Sequence, residues 1–197
     1  MDLLTTFGRT LGFSFAAGIN LYATVGILGL ASRYGWVALP PQYQVFDNPW
    51  IIGAALAFYV IEFIADKVPW VDSAWDAVHT VIRPIGGALI AVATLGHASA
   101  GTQAVVALLG GALATSTHLG KAGTRAIANA SPEPFTNWAL SIGEDLFVVG
   151  LGALALTYPA AAAVVVLICL AMMAAFAAWI VRGLRRRFAR RPATRLS

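Results

Sequence analysis

Long apolar runs, rather than strict alternation, dominate the pattern of hydrophobic and polar positions along the chain. Residues 160–181 contain no charged residue, and residues 11–31 and 102–120 are uncharged as well. Residues 49–65, 74–95 and 138–156 are also largely apolar but carry ionisable side chains. A helix of about 20 mainly apolar residues is long enough to cross the hydrocarbon core of a bilayer. The pattern therefore predicts about six transmembrane helices.

The same runs predict helices rather than membrane-spanning strands. Strands of an outer-membrane barrel alternate apolar and polar residues, whereas these runs are apolar on all sides and rich in Ala, Gly and Leu. No polar linker divides the chain, so we predict an all-α polytopic bundle over residues 1–182 and a short disordered basic tail over residues 183–197. The first apolar run continues far beyond a signal-peptide core, which predicts that it is retained.

The composition agrees with a helical membrane protein, and the sequence excludes several kinds of chemical site. Of 197 residues, 59% are hydrophobic and 11% charged, whereas soluble domains have roughly 45–50% apolar and about 25% charged residues. Cys169 is the single cysteine, so neither a disulfide framework nor a cysteine metal site is available. No nucleophile motif, Gly-rich phosphate loop or His-Glu-x-x-His motif is present.

Basic residues are concentrated after the last apolar run, which predicts the orientation. Basic segments stay on the cytoplasmic side of a membrane, and six crossings would then place both termini in the cytoplasm, with residues 33–47 and 96–101 outside. The basic tail predicts contact with anionic lipid rather than nucleic acid. Seven of the 13 Lys and Arg residues lie there: Arg182, Arg185, Arg186, Arg187, Arg190, Arg191 and Arg195.

A weak internal similarity raises the hypothesis of two inverted three-helix repeats, an arrangement common in small transporters. Phe46-Asp-Asn-Pro-Trp50 and Phe135-Thr-Asn-Trp138 each precede an acidic apolar run. The alternative is that Asn caps a helix and Trp lies at the membrane interface. Both interpretations stay open from the sequence.

The densest group of ionisable residues flanks a proline that must separate two helices, Pro69. On either side of it, residues spaced by about one helical turn share one face of each helix. Such a group could bind a divalent cation through Asp72, Asp76 and His79, or relay protons. A structural alternative is that Asp72 caps a helix and Asp76 pairs with Arg83 or His79. The ionisable residues of this group are Glu62, Asp66, Lys67, Asp72, Asp76, His79 and Arg83.

A second group follows in the later runs. His118, Lys121 and Arg125 share a helix face, and Glu144 and Asp145 lie together in an apolar run. Charged groups within spans are costly and usually face a partner or a cavity. The structural alternative is pairing of Arg125 with Glu144 or Asp145. Asn20, near the middle of the first run, could bind substrate or hydrogen-bond across helices.

The chain resembles a family of uncharacterised bacterial membrane proteins that share a conserved domain of unknown function. The resemblance covers nearly everything before the basic tail, and its most specific part runs from residue 62 to residue 84. It implies a small protein of the bacterial inner membrane without a settled substrate. The runs that carry it are Ala17-Gly-Ile-Asn-Leu-Tyr-Ala-Thr24, Asn48-Pro-Trp50, Glu62-Phe-Ile-Ala-Asp-Lys-Val-Pro-Trp-Val-Asp72, Trp75-Asp-Ala-Val-His79, Arg83-Pro84 and Ser131-Pro-Glu-Pro-Phe135.

Three functional hypotheses follow. The first is a transporter or channel, proton- or ion-coupled, for a small molecule or ion, with a site that opens towards the cytoplasm. The second is a Mg²⁺-dependent enzyme acting on a lipid or isoprenoid phosphate, in which Arg83, Lys121 and Arg125 hold the phosphate. The third is a non-catalytic assembly subunit whose charges pair internally. A divalent cation as cofactor and a homo-oligomeric state stay open.

Overall fold

The computed structural model describes residues 3–129 and 134–189, and these residues form helices only. The prediction of an all-α fold is thereby confirmed. The α-helices are α1 Leu3–Ile19, α2 Leu21–Arg33, α3 Pro49–Ala65, α4 Pro69–Leu95, α5 Ala100–Asn129, α6 Pro134–Thr157 and α7 Pro159–Ala189, and a short 3-10 helix spans Pro41–Asp47.

Proline marks many of the helix starts, because its fixed φ suits the first helical position and its missing N–H is not needed there. The 3-10 helix, α3, α4, α6 and α7 all begin with proline. At α3, Asn48 adds a side-chain cap and accepts a hydrogen bond from the Trp50 amide at 2.9 Å. The predicted break at Pro69 is confirmed, since α3 ends at Ala65 and α4 begins at Pro69.

The first apolar run does not form one straight span. Asn20 has extended backbone angles (φ −143°, ψ 99°) and separates α1 from α2. Both helices then pack on the same stretch of α6, because a Cβ at Gly152 would lie 3.2 Å from Ile27 and 3.9 Å from Phe13. Phe13 precedes Asn20, and Ile27 follows it, by the same number of residues. The two helices therefore form a hairpin whose tip, Asn20, lies inside the bundle, and the prediction of a single span over residues 11–31 was wrong.

The hairpin returns the chain to the side from which it came. Near the middle of α1, Thr10 contacts Thr94 at the end of α4 (Oγ1–Oγ1 3.2 Å), and Arg9 donates to the Leu156 carbonyl at the end of α6 (3.3 Å). A Cβ at Gly8 would contact Pro159 at the start of α7. The first half of α1, the start of α7 and the ends of α4 and α6 thus form what we call the N-terminal end of the bundle.

The opposite, C-terminal end contains the α3–α4 turn and the end of α5. Asn129, the last residue of α5, donates to Asp72 at 2.7 Å and to the Pro69 carbonyl at 3.3 Å. Because α7 runs parallel to α1, its basic stretch from Arg182 also lies at this end. The predicted placement of both termini on one side does not fit this arrangement, since the hairpin removes one crossing.

Small residues bring α4 and α5 into close contact. A Cβ at Gly87 would collide with Ala114, and one at Gly110 would collide with Ala91. Such small-residue contacts are the usual means of close helix packing in membranes, where lipid supplies no hydrophobic driving force between helices. The apolar core lies beside this contact and is built around Phe13, Leu28 and Val166, all fully buried.

Three helices are long and apolar enough to cross a membrane: Pro69–Leu95, Phe135–Thr157 and Pro159–Gly183. The 3-10 helix and α3 together would make a fourth such span, bent by 54°. By this measure the described residues give at most four spans, fewer than the predicted six. Helix α7 also continues to Ala189, beyond the predicted boundary at residue 182, and residues 190–197 of the predicted tail lie outside the described residues.

The two Asn-Trp sequences behind the repeat hypothesis occupy different environments. Asn48 precedes α3 and caps it. Asn137 lies inside α6, is 1% exposed, and its Oδ1 accepts a hydrogen bond from Arg125 at 2.6 Å. The cap interpretation therefore holds for Asn48 and fails for Asn137, and the inverted repeat stays a prediction.

Candidate functional site

The structure gathers every predicted site residue around the hairpin tip and the C-terminal half of the bundle. We call this group the charge cluster. Apart from Glu144, whose side chain is 17% exposed, all its members are buried. It consists of Asn20, Glu62, Asp66, Asp72, Asp76, His79, Arg83, His118, Lys121, Arg125, Glu144 and Asp145.

Arg83 links α4 to three other helices and is fully buried. Its Nη2 donates to Glu62 Oε1 at 2.5 Å, and its Nη1 lies 3.4 Å from Asp76 Oδ1. The same Nη1 donates to the Gly18 carbonyl at 3.3 Å. A buried guanidinium is tolerated only when ionised partners offset its lost hydration. The predicted pairing of Asp76 with Arg83 is confirmed, and Glu62 is an additional partner.

His118 is the fourth partner of Arg83, and its protonation can be assigned from the contact. Arg83 Nη1 lies 2.6 Å from His118 Nδ1, and a guanidinium N–H can only donate. Nδ1 must therefore accept, which leaves the proton on Nε2. That nitrogen lies 3.1 Å from the Asp76 carbonyl, to which it can donate. His118 is thus a neutral imidazole that orients Arg83.

Lys121 occupies the next turn of α5 and faces three carboxylates. Its Nζ lies 3.3 Å from Glu62 Oε1, 3.3 Å from Asp66 Oδ2 and 3.6 Å from Glu144 Oε2. It also donates to the Ile19 carbonyl at 3.2 Å. The carbonyls at the C-terminus of α1 therefore face two cations, Arg83 and Lys121, which suits the negative end of a helix dipole.

Arg125 completes the row of cations along α5. Its Nη2 lies 2.8 Å from Asp66 Oδ2 and 2.8 Å from Glu144 Oε2. The pairing with Glu144, the structural alternative for this residue, is confirmed. Asp145, the other candidate partner in that alternative, does not pair with Arg125 and instead accepts a hydrogen bond from Asn20 Nδ2 at 3.0 Å.

Asp145 differs from the other carboxylates of the cluster. Among the described residues it has no ion-pair partner within 4.0 Å, although it is only 7% exposed, and its Oδ2 has no hydrogen-bond partner there. Asn20 holds its Oδ1, while the Oδ1 of Asn20 itself caps α2 by accepting from the Ala23 amide at 2.9 Å. At the hairpin tip, the Asn20 side-chain amide thus donates to a carboxyl group that has no ion-pair partner among the described residues.

Negative charge is in excess within the described part of the cluster. Three buried cations face six acidic side chains, namely Glu62, Asp66, Asp72, Asp76, Glu144 and Asp145. Among the described residues, four of these acids each have one buried oxygen without a hydrogen-bond partner, namely Glu62, Asp66, Asp72 and Asp145. Because an unpaired ionised carboxylate is very costly away from water, this excess favours uptake of protons or cations.

The predicted metal set is not assembled. Within residues 3–129 and 134–189, no three His, Cys, Asp or Glu side chains are grouped in a way that could hold a metal ion. Asp76 pairs with Arg83, and Asp72 accepts from Asn129 at 2.7 Å. The two ring nitrogens of His79 contact the Trp75 carbonyl at 2.7 Å and the Tyr22 hydroxyl at 3.1 Å.

Asp72 also does not cap α4, as the structural alternative supposed. Val68 is the N-cap residue of that helix and no side chain caps it. Asp72 lies in the first turn, where its charge interacts favourably with the helix dipole. The bond to Asn129 joins the start of α4 to the end of α5.

Sequence reasoning missed three polar residues that contact the charge cluster or the neighbouring Lys67. Asn137 accepts from Arg125, Ser141 is fully buried and accepts from Lys67 Nζ at 3.4 Å, and Tyr22 contacts His79. The spacing of Asn137, Ser141 and Asp145, one helical turn apart each, indicates a shared face. In the α3–α4 turn, partial burial lowers the pKa of Lys67.

An apolar cleft of about 660 Å³ lies beside the cluster, between α5, α6 and α7, with α1 at its base. Phe15 and Ile19 form part of the base, and Met173 and Phe176 line the α7 side. Lys121 and Glu144 are the charged residues of the lining. The cleft therefore joins an apolar volume to the edge of the charge cluster.

Together, the fold and the cluster define an all-helical protein with membrane-type helices and a network of buried charges. The chain belongs to the family described as "Domain of unknown function (DUF4126)", whose model matches residues 8–179. The resemblance to a family of unknown function is thereby confirmed. No curated protein and no solved structure matches the chain.

Proposed function

We propose that this protein is a small membrane transporter in which the charge cluster forms a proton or ion site. The observation that carries the proposal is Asp145, a buried carboxyl group without a cationic partner, positioned at the tip of a helical hairpin. Ionisable groups inside a membrane protein are costly, and they commonly mark ion or proton pathways. The excess of carboxylates around it supports the same role.

The interrupted first helix supports transport in a second way. Transporters often place their sites where helices are broken, because the exposed helix ends offer charged or polarised groups. Here the carbonyls of Gly18 and Ile19 face Arg83 and Lys121, and the Asn20 amide faces Asp145. A movement of the hairpin tip would therefore change the partners of both cations and of the free carboxyl group.

The proposed topology counts α5, which is 30 residues long, as a fifth span beside the four candidates, so that α3 to α7 cross the bilayer and the α1–α2 hairpin enters from one side only. The positive-inside rule then assigns the C-terminal end of the bundle, with Arg182, Arg185 and Arg186, to the cytoplasm of a bacterial inner membrane. The N-terminal end would face outside. The charge cluster lies towards the cytoplasmic end in this orientation, and anionic lipid would contact the basic end of α7.

Cysteine labelling tests this topology. In a Cys169→Ser background, Leu4→Cys and Ser99→Cys are expected to react with an impermeant maleimide from the outside of right-side-out vesicles. Trp70→Cys, at the opposite end, is expected to react only after permeabilisation, and all three positions are exposed. Labelling of both Leu4→Cys and Trp70→Cys under the same condition, either from outside or only after permeabilisation, would contradict the hairpin topology.

Proton flux tests the proposed function. In liposomes with a pH-sensitive dye inside, the wild-type protein is expected to move protons in response to a transported solute, and Glu62→Gln is expected to lower that flux at least tenfold. Loss of the Glu62 charge leaves Arg83 and Lys121 without their shared partner. Asp47→Asn, an acid-to-amide change in the 3-10 helix, is the control. Identical traces for wild type and Glu62→Gln across a broad solute panel would count against the proposal.

The observed contacts weigh against the two alternatives. A Mg²⁺-dependent phosphate enzyme would need the set Asp72, Asp76 and His79, which the structure separates, and its phosphate-binding cations are already paired with carboxylates. An assembly subunit with internally paired charges would leave no carboxyl group without a cation, whereas Asp145 is such a group. A cleft that reaches Glu144 also favours a binding role.

A further inference from the structure

We infer that the cleft between α5, α6 and α7 binds a hydrophobic cation, whose positive charge is placed at Glu144. This inference rests on the proposed function and names the substrate class of the same site. Its volume of about 660 Å³ falls within the range of roughly 300–1,000 Å³ found for small-molecule sites. An aromatic cation of moderate size would fill it.

The charge of the ligand follows from what the cleft exposes. Its two charged lining residues are Lys121 and Glu144, whose side chains are 2% and 17% exposed. The Lys121 ammonium lies 3.3 Å from both Glu62 and Asp66 and 3.6 Å from Glu144, while Arg125 holds Glu144 from the bundle interior. A ligand in the cleft therefore meets a carboxylate first, at the edge of a cluster with more acids than buried cations.

The apolar walls suit a bulky cation rather than a simple metal ion. Phe15, Phe147 and Phe176 line the cleft, and aromatic rings attract cations that are shielded from water. Met172 and Met173 supply flexible, polarisable side chains that adapt to ligands of different shape. Met172 is also 59% exposed on the outer surface of α7, so the cleft can be reached from the side of the bundle.

The experiment compares two ions of the same size and shape but opposite charge. Tetraphenylphosphonium and tetraphenylborate are titrated into the purified full chain in detergent micelles, and saturable binding is measured by calorimetry. The cation is expected to bind at least tenfold more tightly than the anion. Glu144→Gln is expected to weaken cation binding at least tenfold, while Asp47→Asn leaves it unchanged.

Met172→Trp provides a second variant that fills the cleft and leaves the charge cluster intact. It is expected to weaken cation binding at least fivefold. If Glu144→Gln does not fold, this variant tests whether the cation binds in the cleft. Equal affinity for both ions, with no effect of Glu144→Gln, would show that the cleft only takes a lipid chain and would overturn the inference. Undiminished cation binding by Met172→Trp would overturn it as well.

Liposome measurements separate this inference from the transport proposal. Selective, Glu144-dependent binding of tetraphenylphosphonium without any proton flux would leave the ligand class standing and remove the transporter. Flux that depends on Glu62, together with no preference for the cation, would support transport and overturn the ligand class.

Discussion

Replacement of Arg83 by glutamine is expected to lower the free energy of unfolding by about 3–5 kcal/mol, the usual cost of removing one partner of a buried ion pair. Arg83 is fully buried and contacts Glu62, Asp76 and His118 at once. Without it, Asp76 loses its ion-pair partner and Glu62 keeps only Lys121, and both carboxylates are buried. Unfolding with sodium dodecyl sulfate in mixed micelles, followed by circular dichroism, measures the change.

Two comparisons make this result specific. Arg182→Gln removes an exposed arginine whose Nε donates to the Ala178 carbonyl in its own helix, and should cost less than about 0.5 kcal/mol. The double variant Arg83→Gln with Glu62→Gln should be less destabilised than the sum of the two single variants, because the unpaired charge is removed with its partner. Additive costs would contradict the proposed coupling.

Replacement of Gly18 by alanine is the second change with a large expected effect, a loss of about 1–3 kcal/mol from overpacking. A Cβ at this position would collide with the Ala114 carbonyl and lie 2.7 Å from the Thr117 Cβ. To avoid these atoms the hairpin must move away from α5, which also draws the Gly18 carbonyl away from Arg83. The same unfolding assay measures the loss.

Gly150→Ala is the matched control, because it makes the same change in a helix where nothing lies within 4 Å of the new methyl group. Alanine is a better helix former than glycine by about 0.8–1.0 kcal/mol, so this variant should be neutral or slightly more stable. Opposite signs for the two variants are expected. Equal effects would show that the contact between the hairpin tip and α5 is loose.

The members of the charge cluster could be found from the sequence, whereas most of their partners could not. Ionisable residues are so rare within apolar runs that each one stands out, and helical spacing places Asp76 and Arg83 on one face. Their contacts with His118 and Glu62, however, join separate helices. No local pattern encodes which of several buried acids a given cation will meet.

The predicted metal ligands also show that contacts between helices cannot be predicted from spacing along one helix. Asp72, Asp76 and His79 do share the buried face of α4, as their spacing indicated. Asp72 and His79 are engaged from other helices, by Asn129 of α5 and Tyr22 of α2, and Asp76 is engaged by Arg83 of α4 itself. Spacing along one helix determines which residues point the same way, while the neighbouring helices decide whether their oxygens converge on one ion.

The sequence by itself determined the helical class, the break between helices at Pro69 and the buried positions of the charged residues, because these depend on local hydropathy, proline geometry and the cost of burying charge. Only the tertiary structure decided that residues 11–31 fold into a hairpin. Hydropathy is continuous through Asn20, and breaking a helix there exposes backbone groups at a high cost in an apolar interior. Arg83 and Lys121 offset that cost by donating to the Gly18 and Ile19 carbonyls, and Asp145 accepts a hydrogen bond from the Asn20 side chain.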